Sequence, residues 1–181
     1  MADIDVLIIG GGGREYELAR QMALGAGSRQ VFVAPGNAGT AAMEKCENVN
    51  IGTTDVNEIV SFAKEKQIGL TVIGPDAAVA AGTGNALRRA GMSVFGPTRE
   101  AGRLESSKAF VADFMNRHGI PQPESQVVRS LEEALAAIKD KSPNTYVLKA
   151  DGLAAGKGVV LPKTAEESER VLKDMLSGKG F

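Results

Sequence analysis

Val6-Leu7-Ile8-Ile9-Gly10-Gly11-Gly12-Gly13-Arg14-Glu15 is the stretch on which the fold turns. Its unbroken apolar run, rich in β-branched residues, has the character of a strand buried on both faces. The glycines end that strand at once, and over 14–24 Leu18, Ala19, Met22 and Ala23 then recur at helical spacing. The same order returns down the chain. Val31-Phe32-Val33 is a second strand, ended by the turn Ala34-Pro35-Gly36-Asn37. Asp55 stands as N-cap to a helix over 56–66, in which Val56, Ile59, Val60 and Ala63 share a face. Leu70-Thr71-Val72-Ile73 is a third strand, closed by Gly74-Pro75, and a helix over 77–90 follows despite Gly82 and Gly84. Ser93-Val94-Phe95 is a fourth, closed by Gly96-Pro97.

Such alternation predicts an α/β protein: a Rossmann-like open parallel sheet with right-handed crossovers and helices on both faces. Ligands of these sheets bind beyond the carboxyl ends of the strands, where residues 10–13, 34–37, 74–76 and 96–98 would gather. After Thr98 the pattern changes to α+β. A helix over 107–118 leads to the extended Gly119-Ile120-Pro121-Gln122-Pro123, a strand at 126–128 and a helix at 131–139. Residues 146–149 and 158–161 read as two arms of a hairpin around a glycine loop, and Thr164-Ala165-Glu166-Glu167 as a capping box opening a helix to Leu176. The expected organisation is a sheet domain over 1–105, a connecting helix over 106–122 and a small α+β subdomain over 123–181.

Composition narrows the function. The 22 glycines among 181 residues are about 12%, against a usual ~7%. A net charge of −1 argues against a nucleic-acid partner, whose binders carry a basic excess. The lone cysteine, Cys46, forms no internal disulfide and reads as a reduced, nearly buried residue; no cluster suggests a structural metal. No apolar run approaches a membrane span, and Asp3 and Asp5 stand where a secretion signal would be basic, so a cytoplasmic address is expected.

Two segments could carry chemistry. At Gly10–Glu15 free N–H groups of a helix start attract an anion, and Arg14 could add a bidentate phosphate contact. A dinucleotide site would need an acidic residue closing the second strand, where Val33-Ala34-Pro35-Gly36 offers none. A phosphorylated small molecule fits, as does a glycine turn needed only for packing. Glu15 and Asp76 lie at the ligand edge and could hold a ribose hydroxyl or an amine. In Lys149-Ala150-Asp151-Gly152-Leu153-Ala154-Ala155-Gly156-Lys157-Gly158 a small-residue loop between strands can fold its N–H groups around a triphosphate. It is no Walker loop, since Gly-Lys-Gly replaces Gly-Lys-Ser/Thr and a strand follows. Lys149, ending an apolar strand, is expected to need an anionic partner; the alternative is a mobile glycine hairpin with solvated lysines. Ser106-Ser107-Lys108 opens a helix with a capping serine, and His118 suits a helix C-cap better than catalysis.

With these residues in view, the chain resembles the phosphoribosylamine–glycine ligase family of ATP-grasp enzymes. The likeness runs through Gly12-Gly13-Arg14-Glu15, Ala34 through Thr40, Gly74-Pro75, Phe95-Gly96-Pro97-Thr98, Ser107-Lys108-Ala109-Phe110 and Lys149 through Val159. It implies a pre-ATP-grasp sheet domain and a small ATP-grasp subdomain that closes over ATP. The implied reaction joins glycine to 5-phosphoribosylamine through a glycyl phosphate, with ADP and phosphate released. By resemblance Lys108 and Lys149 meet ATP phosphates, and Gly152, Leu153, Ala154, Ala155, Gly156, Lys157 and Gly158 form a lid, with Lys149 and Lys157 catalytic. Gly12, Gly13, Arg14, Glu15, Asn37, Gly74, Pro75 and Asp76 would line the phosphoribosylamine side. Two positions depart from the family: Tyr16 stands where histidine is usual, and Asp76-Ala77-Ala78-Val79 where Glu-x-Pro-Leu is usual. Family members run to more than twice this length, with the adenine hinge and magnesium ligands beyond Phe181. The chain is therefore expected to be an N-terminal portion, inactive alone and holding no metal ligand. The other readings are a different ATP-grasp carboxylate ligase, or a non-catalytic nucleotide or sugar-phosphate binding module.

Overall fold

The computed structural model describes residues 3–154 and 156–178. The chain divides after Gly102 into two compact units. The first contains β1 (Ile4–Gly10), α1 (Gly13–Leu24), β2 (Ser28–Pro35), α2 (Ala38–Ala41), β3 (Cys46–Asn48), α3 (Val56–Glu65), β4 (Leu70–Ile73), α4 (Asp76–Ala81), α5 (Thr83–Arg89) and β5 (Val94–Phe95). Its five strands lie in the order β3-β2-β1-β4-β5, all parallel. Side chains of β1 alternate between two cores, as the pleat demands. Leu7 and Ile9 join Phe32, Ala34 and Ile73 against Ile59, Ala63, Val79 and Leu87 of α3, α4 and α5. Val6 and Ile8 join Val31, Val33 and Val72 against Ala19 of α1, with Leu18, Met22 and Ala23 packed beside it. Each such aliphatic side chain contributes about 1.5–3 kcal/mol on burial, so this double coverage explains the continuous apolar run.

The four expected strands are β1, β2, β4 and β5. The fifth, β3, has no apolar run to announce it; it is an edge strand paired only with β2, Val31↔Cys46 through Val33↔Asn48. Three further differences have local causes. The single helix expected over 77–90 is two, because Gly82 takes φ 85°, a left-handed conformation favoured by glycine. Asp55 is the N-cap residue of α3 but its carboxylate accepts from Gly52 N–H at 3.1 Å rather than from the helix. The short α2 is created by the Asn37 cap, whose Oδ1 accepts from Gly39 N–H (2.8 Å) and Thr40 N–H (3.0 Å).

The second unit contains α6 (Arg103–Ser106), α7 (Lys108–Arg117), α8 (Leu131–Ile138), a 3-10 turn at Pro143–Thr145, β6 (Leu148–Lys149), β7 (Val159–Val160) and α9 (Ala165–Leu176). β6 and β7 pair antiparallel, Leu148↔Val160 and Lys149↔Val159. Ala134, Leu148 and Leu172 form the small core of this unit, flanked by Val128, Leu131, Ile138, Tyr146 and Met175. Ser130 and Thr164 cap α8 and α9 by accepting from Glu133 N–H and Glu167 N–H, both at 3.1 Å. The strand expected at 126–128 does not form; that segment is irregular, and only Val128 reaches the core. Among the described residues no helix is long and apolar enough to cross a membrane.

Candidate functional site

Each unit carries one candidate site. In the first, β1 is flanked by β2 on one side and β4 on the other, so chain direction across the sheet reverses between β1 and β4. The crevice beyond their carboxyl ends is the place where such sheets bind ligands. Gly12 is the N-cap of α1 and has no side chain to offer. The first amide bonded back to it is Tyr16 N–H, at 3.0 Å from Gly12 O. The first-turn amides of Gly13, Arg14 and Glu15 therefore receive nothing from the cap, which leaves an anion-attracting helix start. Arg14 is exposed beside it.

Glu15 does not share that exposure. Its side chain is buried, and Oε2 accepts from Gly12 N–H at 2.7 Å. The carboxylate fills the slot between β1 and β4: a Cβ on Gly10 would lie 2.6 Å from Glu15 Cδ, and one on Gly74 would lie 2.7 Å from the same atom. Glycine at those positions is what admits the glutamate. Asn37 is likewise committed to backbone. Besides capping α2, its Nδ2 donates to Gly11 O at 3.0 Å, while Gly36 N–H donates to Gly10 O at 3.2 Å. The loops after β1 and β2 are thus joined. Gly74 N–H donates to Ile9 O at 3.1 Å, which ties the β4 loop to β1, and Pro75 is the N-cap position of α4. Asp76 opens α4 exposed, its Oδ1 accepting from Ala77 N–H at 2.8 Å. Tyr16 lays its ring on α2: a Cβ on Gly39 would stand 2.6 Å from Tyr16 Cε2.

Two residues to which the sequence reading gave no site role complete this edge. Thr40, fully buried, accepts from Asn37 N–H at 2.8 Å and lies 2.7 Å from Asn48 Oδ1, to which its hydroxyl donates. Asn48 Nδ2 donates to Asn37 O at 2.8 Å. Asn37-x-x-Thr40 has the spacing of a cap and could have been found; Asn48, at the end of an unrecognised strand, carries no local signal.

In the second unit α7 and the glycine loop come together although 44 positions separate them. Lys108 Nζ donates to Gly152 O at 2.9 Å. Ser107 caps α7 by accepting from Phe110 N–H at 3.2 Å, and its hydroxyl reaches Asp151 Oδ2 at 3.2 Å. Asp151 Oδ1 accepts from Ala109 N–H at 3.3 Å, so its carboxylate sits at the positive end of the helix. Ala150 N–H donates to Gly158 O at 2.8 Å and closes the base of the loop. Within it Lys157 and Leu153 are exposed, and Gly152 and Gly156 have φ of 102° and 80°. Ala155 lies outside the described residues.

Lys149 corrects one expectation. It is exposed on β6 rather than desolvated, and so requires no buried anionic partner. Strand alternation puts Val147, Lys149, Val159 and Leu161 on one face of the hairpin, with Leu148 on the other inside the core. Val147, Val159 and Leu161 are all exposed, which gives the lysine an apolar surround. His118 is the C-cap residue of α7, its ring 4.4 Å from that of Phe114. Cys46 is half-buried rather than nearly buried, and burial pushes its thiol pKa up. Among the described residues no three acidic, histidine or cysteine side chains gather as a metal site.

Comparison with known proteins gives the family. Residues 4–105 match the family model "Phosphoribosylglycinamide synthetase, N domain", and residues 106–181 match "Phosphoribosylglycinamide synthetase, ATP-grasp (A) domain". Phosphoribosylamine–glycine ligase of Haemophilus influenzae is 51% identical over 98% of this chain and 41% of its own length; that of Vibrio cholerae is 48% identical over the same shares. The chain thus spans about two fifths of the length of these relatives. Among solved structures, phosphoribosylamine–glycine ligase of Thermotoga maritima is 32% identical with a TM-score of 0.69, covering 92% of this chain and 38% of that one. The biotin carboxylase domain of Hydrogenobacter thermophilus 2-oxoglutarate carboxylase, 20% identical with a TM-score of 0.75 over 99% of this chain and 43% of that one, shares the fold. The match of the second unit to an ATP-grasp domain, behind a parallel-sheet unit, places the molecule in the ATP-grasp class. Within that class, the chain belongs to the phosphoribosylglycinamide synthetase family.

Proposed function

We propose that this chain supplies the N-terminal part of an ATP-dependent carbon–nitrogen ligase that joins glycine to 5-phosphoribosylamine. The reaction would pass through a glycyl phosphate and yield glycinamide ribonucleotide, ADP and phosphate, as a cytoplasmic step of purine biosynthesis. The observation that carries this reading is the convergence of Ser107, Lys108 and Asp151-Gly152 in the second unit, which brings a lysine to a glycine loop at a helix start. Lys108 and the exposed Lys149 supply positive charge for a polyphosphate, and N–H groups of 152–154 and 156–158 supply donors. ATP contributes the activating phosphoryl group; this chain's lysines and amides hold its charge in place. The uncovered apolar surface around Lys149 suits the planar base of a nucleotide. Lys157, exposed in the loop, reaches the phosphates when the loop closes. Magnesium would accompany ATP in such a reaction; the chain itself spans about two fifths of the length of its relatives.

On the sheet unit, the open amides of Gly13, Arg14 and Glu15 with the Arg14 guanidinium receive the ribose 5-phosphate group. Gly12, Asn37, Gly74 and Pro75 shape the pocket, Glu15 holds the loop from within, and the exposed Asp76 faces the sugar side. The test is ADP release by the full-length protein, required to depend on both glycine and phosphoribosylamine. Lys149→Ala is expected to weaken ATP binding and turnover; unchanged ATP kinetics would remove Lys149 from the site. Arg14→Ala is expected to abolish the rise in melting temperature produced by glycinamide ribonucleotide.

A further inference from the structure

We propose that Asn48, on the edge strand β3, is the positioning residue that sets the anion-binding start of α1, acting through Asn37. This rests on the reading of that helix start as the phosphate site. Asn48 makes no approach to α1 itself; its side chain is engaged with the β2 loop at both ends. Nδ2 donates to Asn37 O at 2.8 Å, and Oδ1 accepts from the Thr40 hydroxyl at 2.7 Å. Thr40 in turn accepts from Asn37 N–H at 2.8 Å. Both backbone polar groups of Asn37 are therefore anchored by this pair. With its main chain fixed, Asn37 extends Nδ2 to Gly11 O at 3.0 Å, one residue before the Gly12 cap.

A second observation shows that the fold is shaped around this amide. Gly36 has φ 72°, and a Cβ there would fall on the Asn48 amide group, in contact with Oδ1, Cγ and Nδ2. The positive φ disfavours other residues, and the missing side chain lets Asn48 pass beneath the turn. The geometry requires both halves of the amide, an acceptor toward Thr40 and a donor toward Asn37. Carboxylate at this position keeps the acceptor and sets a second acceptor against Asn37 O, a repulsive pair; protonation restores the donor. Asn48→Asp therefore gives a loss that acid reverses, whereas Asn48→Ala gives one that it does not.

The experiment uses the full chain and two readouts. Amide hydrogen exchange is followed at Gly36, Gly39 and Thr40, which report the β2 loop, and at Gly12, whose N–H is held by Glu15. Ribose 5-phosphate is the binding probe. At neutral pH both variants should raise exchange at these four amides at least about tenfold over wild type while Val6–Ile9 stays protected. A tenfold change is about 1.4 kcal/mol of local opening. Near pH 4.5, Asn48→Asp should return toward wild type and Asn48→Ala should not. Probe affinity should fall in parallel with Gly12 exchange. Unchanged exchange at Gly12, or the same loss in Asn48→Asp at both pH values, overturns the proposal. If wild type itself fails to bind the probe, the phosphate-site reading falls, and the exchange data alone decide whether Asn48 positions the loop.

Discussion

Gly74→Ala is the substitution that most directly tests how Glu15 is held. The added methyl would stand 2.7 Å from both Cγ and Cδ of Glu15, and closer still to Oε1. Carbon atoms attract at roughly 3.5–4.0 Å, so the glutamate must move. It has little room, because Gly10 closes the opposite side and Gly12 N–H holds Oε2 at 2.7 Å. Overpacking of a filled site costs about 1–3 kcal/mol, and a hydrogen bond to a charged group is worth about 1.5–3 kcal/mol if it breaks. The expected destabilisation is about 2–4 kcal/mol, or a fall in Tm on the order of 10–25 °C for a unit of this size. Calorimetry would measure it, with amide exchange at Val6–Ile9 assigning the transition to the sheet unit. The decisive variant is Gly74→Ala combined with Glu15→Ala. With the carboxylate gone the methyl has space, so Gly74→Ala should cost less than about 1 kcal/mol in that background. An equal cost with and without Glu15 would refute the clash as its cause.

Three other outcomes are expected. Gly82→Ala, at φ 85° between α4 and α5, should destabilise the sheet unit by about 1–2 kcal/mol through backbone strain, measured by urea denaturation. Asp5 accepts from Arg29 Nε and Nη2 at 2.8 and 2.6 Å, and that hydrogen-bonded guanidinium holds its pKa below the ordinary 3.8. Stability from this pair is therefore present above pH 3.8 and lost as pH falls through the lower folded value; Arg29→Met should flatten that part of the Tm–pH curve. Asp151→Ala should loosen the start of α7, raising exchange at Ala109 N–H while Leu148 and Leu172 stay protected; unaltered exchange at Ala109 would show that the carboxylate does not hold the helix start.

Much of the architecture was legible because its residues announce themselves locally. Val6–Ile9 is apolar without interruption, and Leu70–Ile73 apolar but for the buried Thr71, since helices cover both faces of the sheet. Thr164 and Ser107 read as caps because capping is a bond within three residues of the same chain segment. Cys46–Asn48 was not legible: an edge strand needs one neighbour and no apolar run. The break at Gly82 is not legible because propensity sums over a window, while a single glycine at positive φ ends a helix at one residue.

The sequence by itself determined the alternation of strand and helix, the glycine-bearing strand ends and the family, since those depend on residue type and short-range order. Only the tertiary structure decided which polar side chains stay exposed and which serve the backbone. Arg14 and Glu15 are neighbours in sequence, yet one is exposed and the other fills the slot between Gly10 and Gly74. Lys149, which ends an apolar strand, proved exposed, while Lys108 met Gly152 across 44 positions. Asn48 acquired its place only when β3 paired with β2. Hydrogen bonds and close packing act over a few ångströms in space, and separation along the chain does not reveal them.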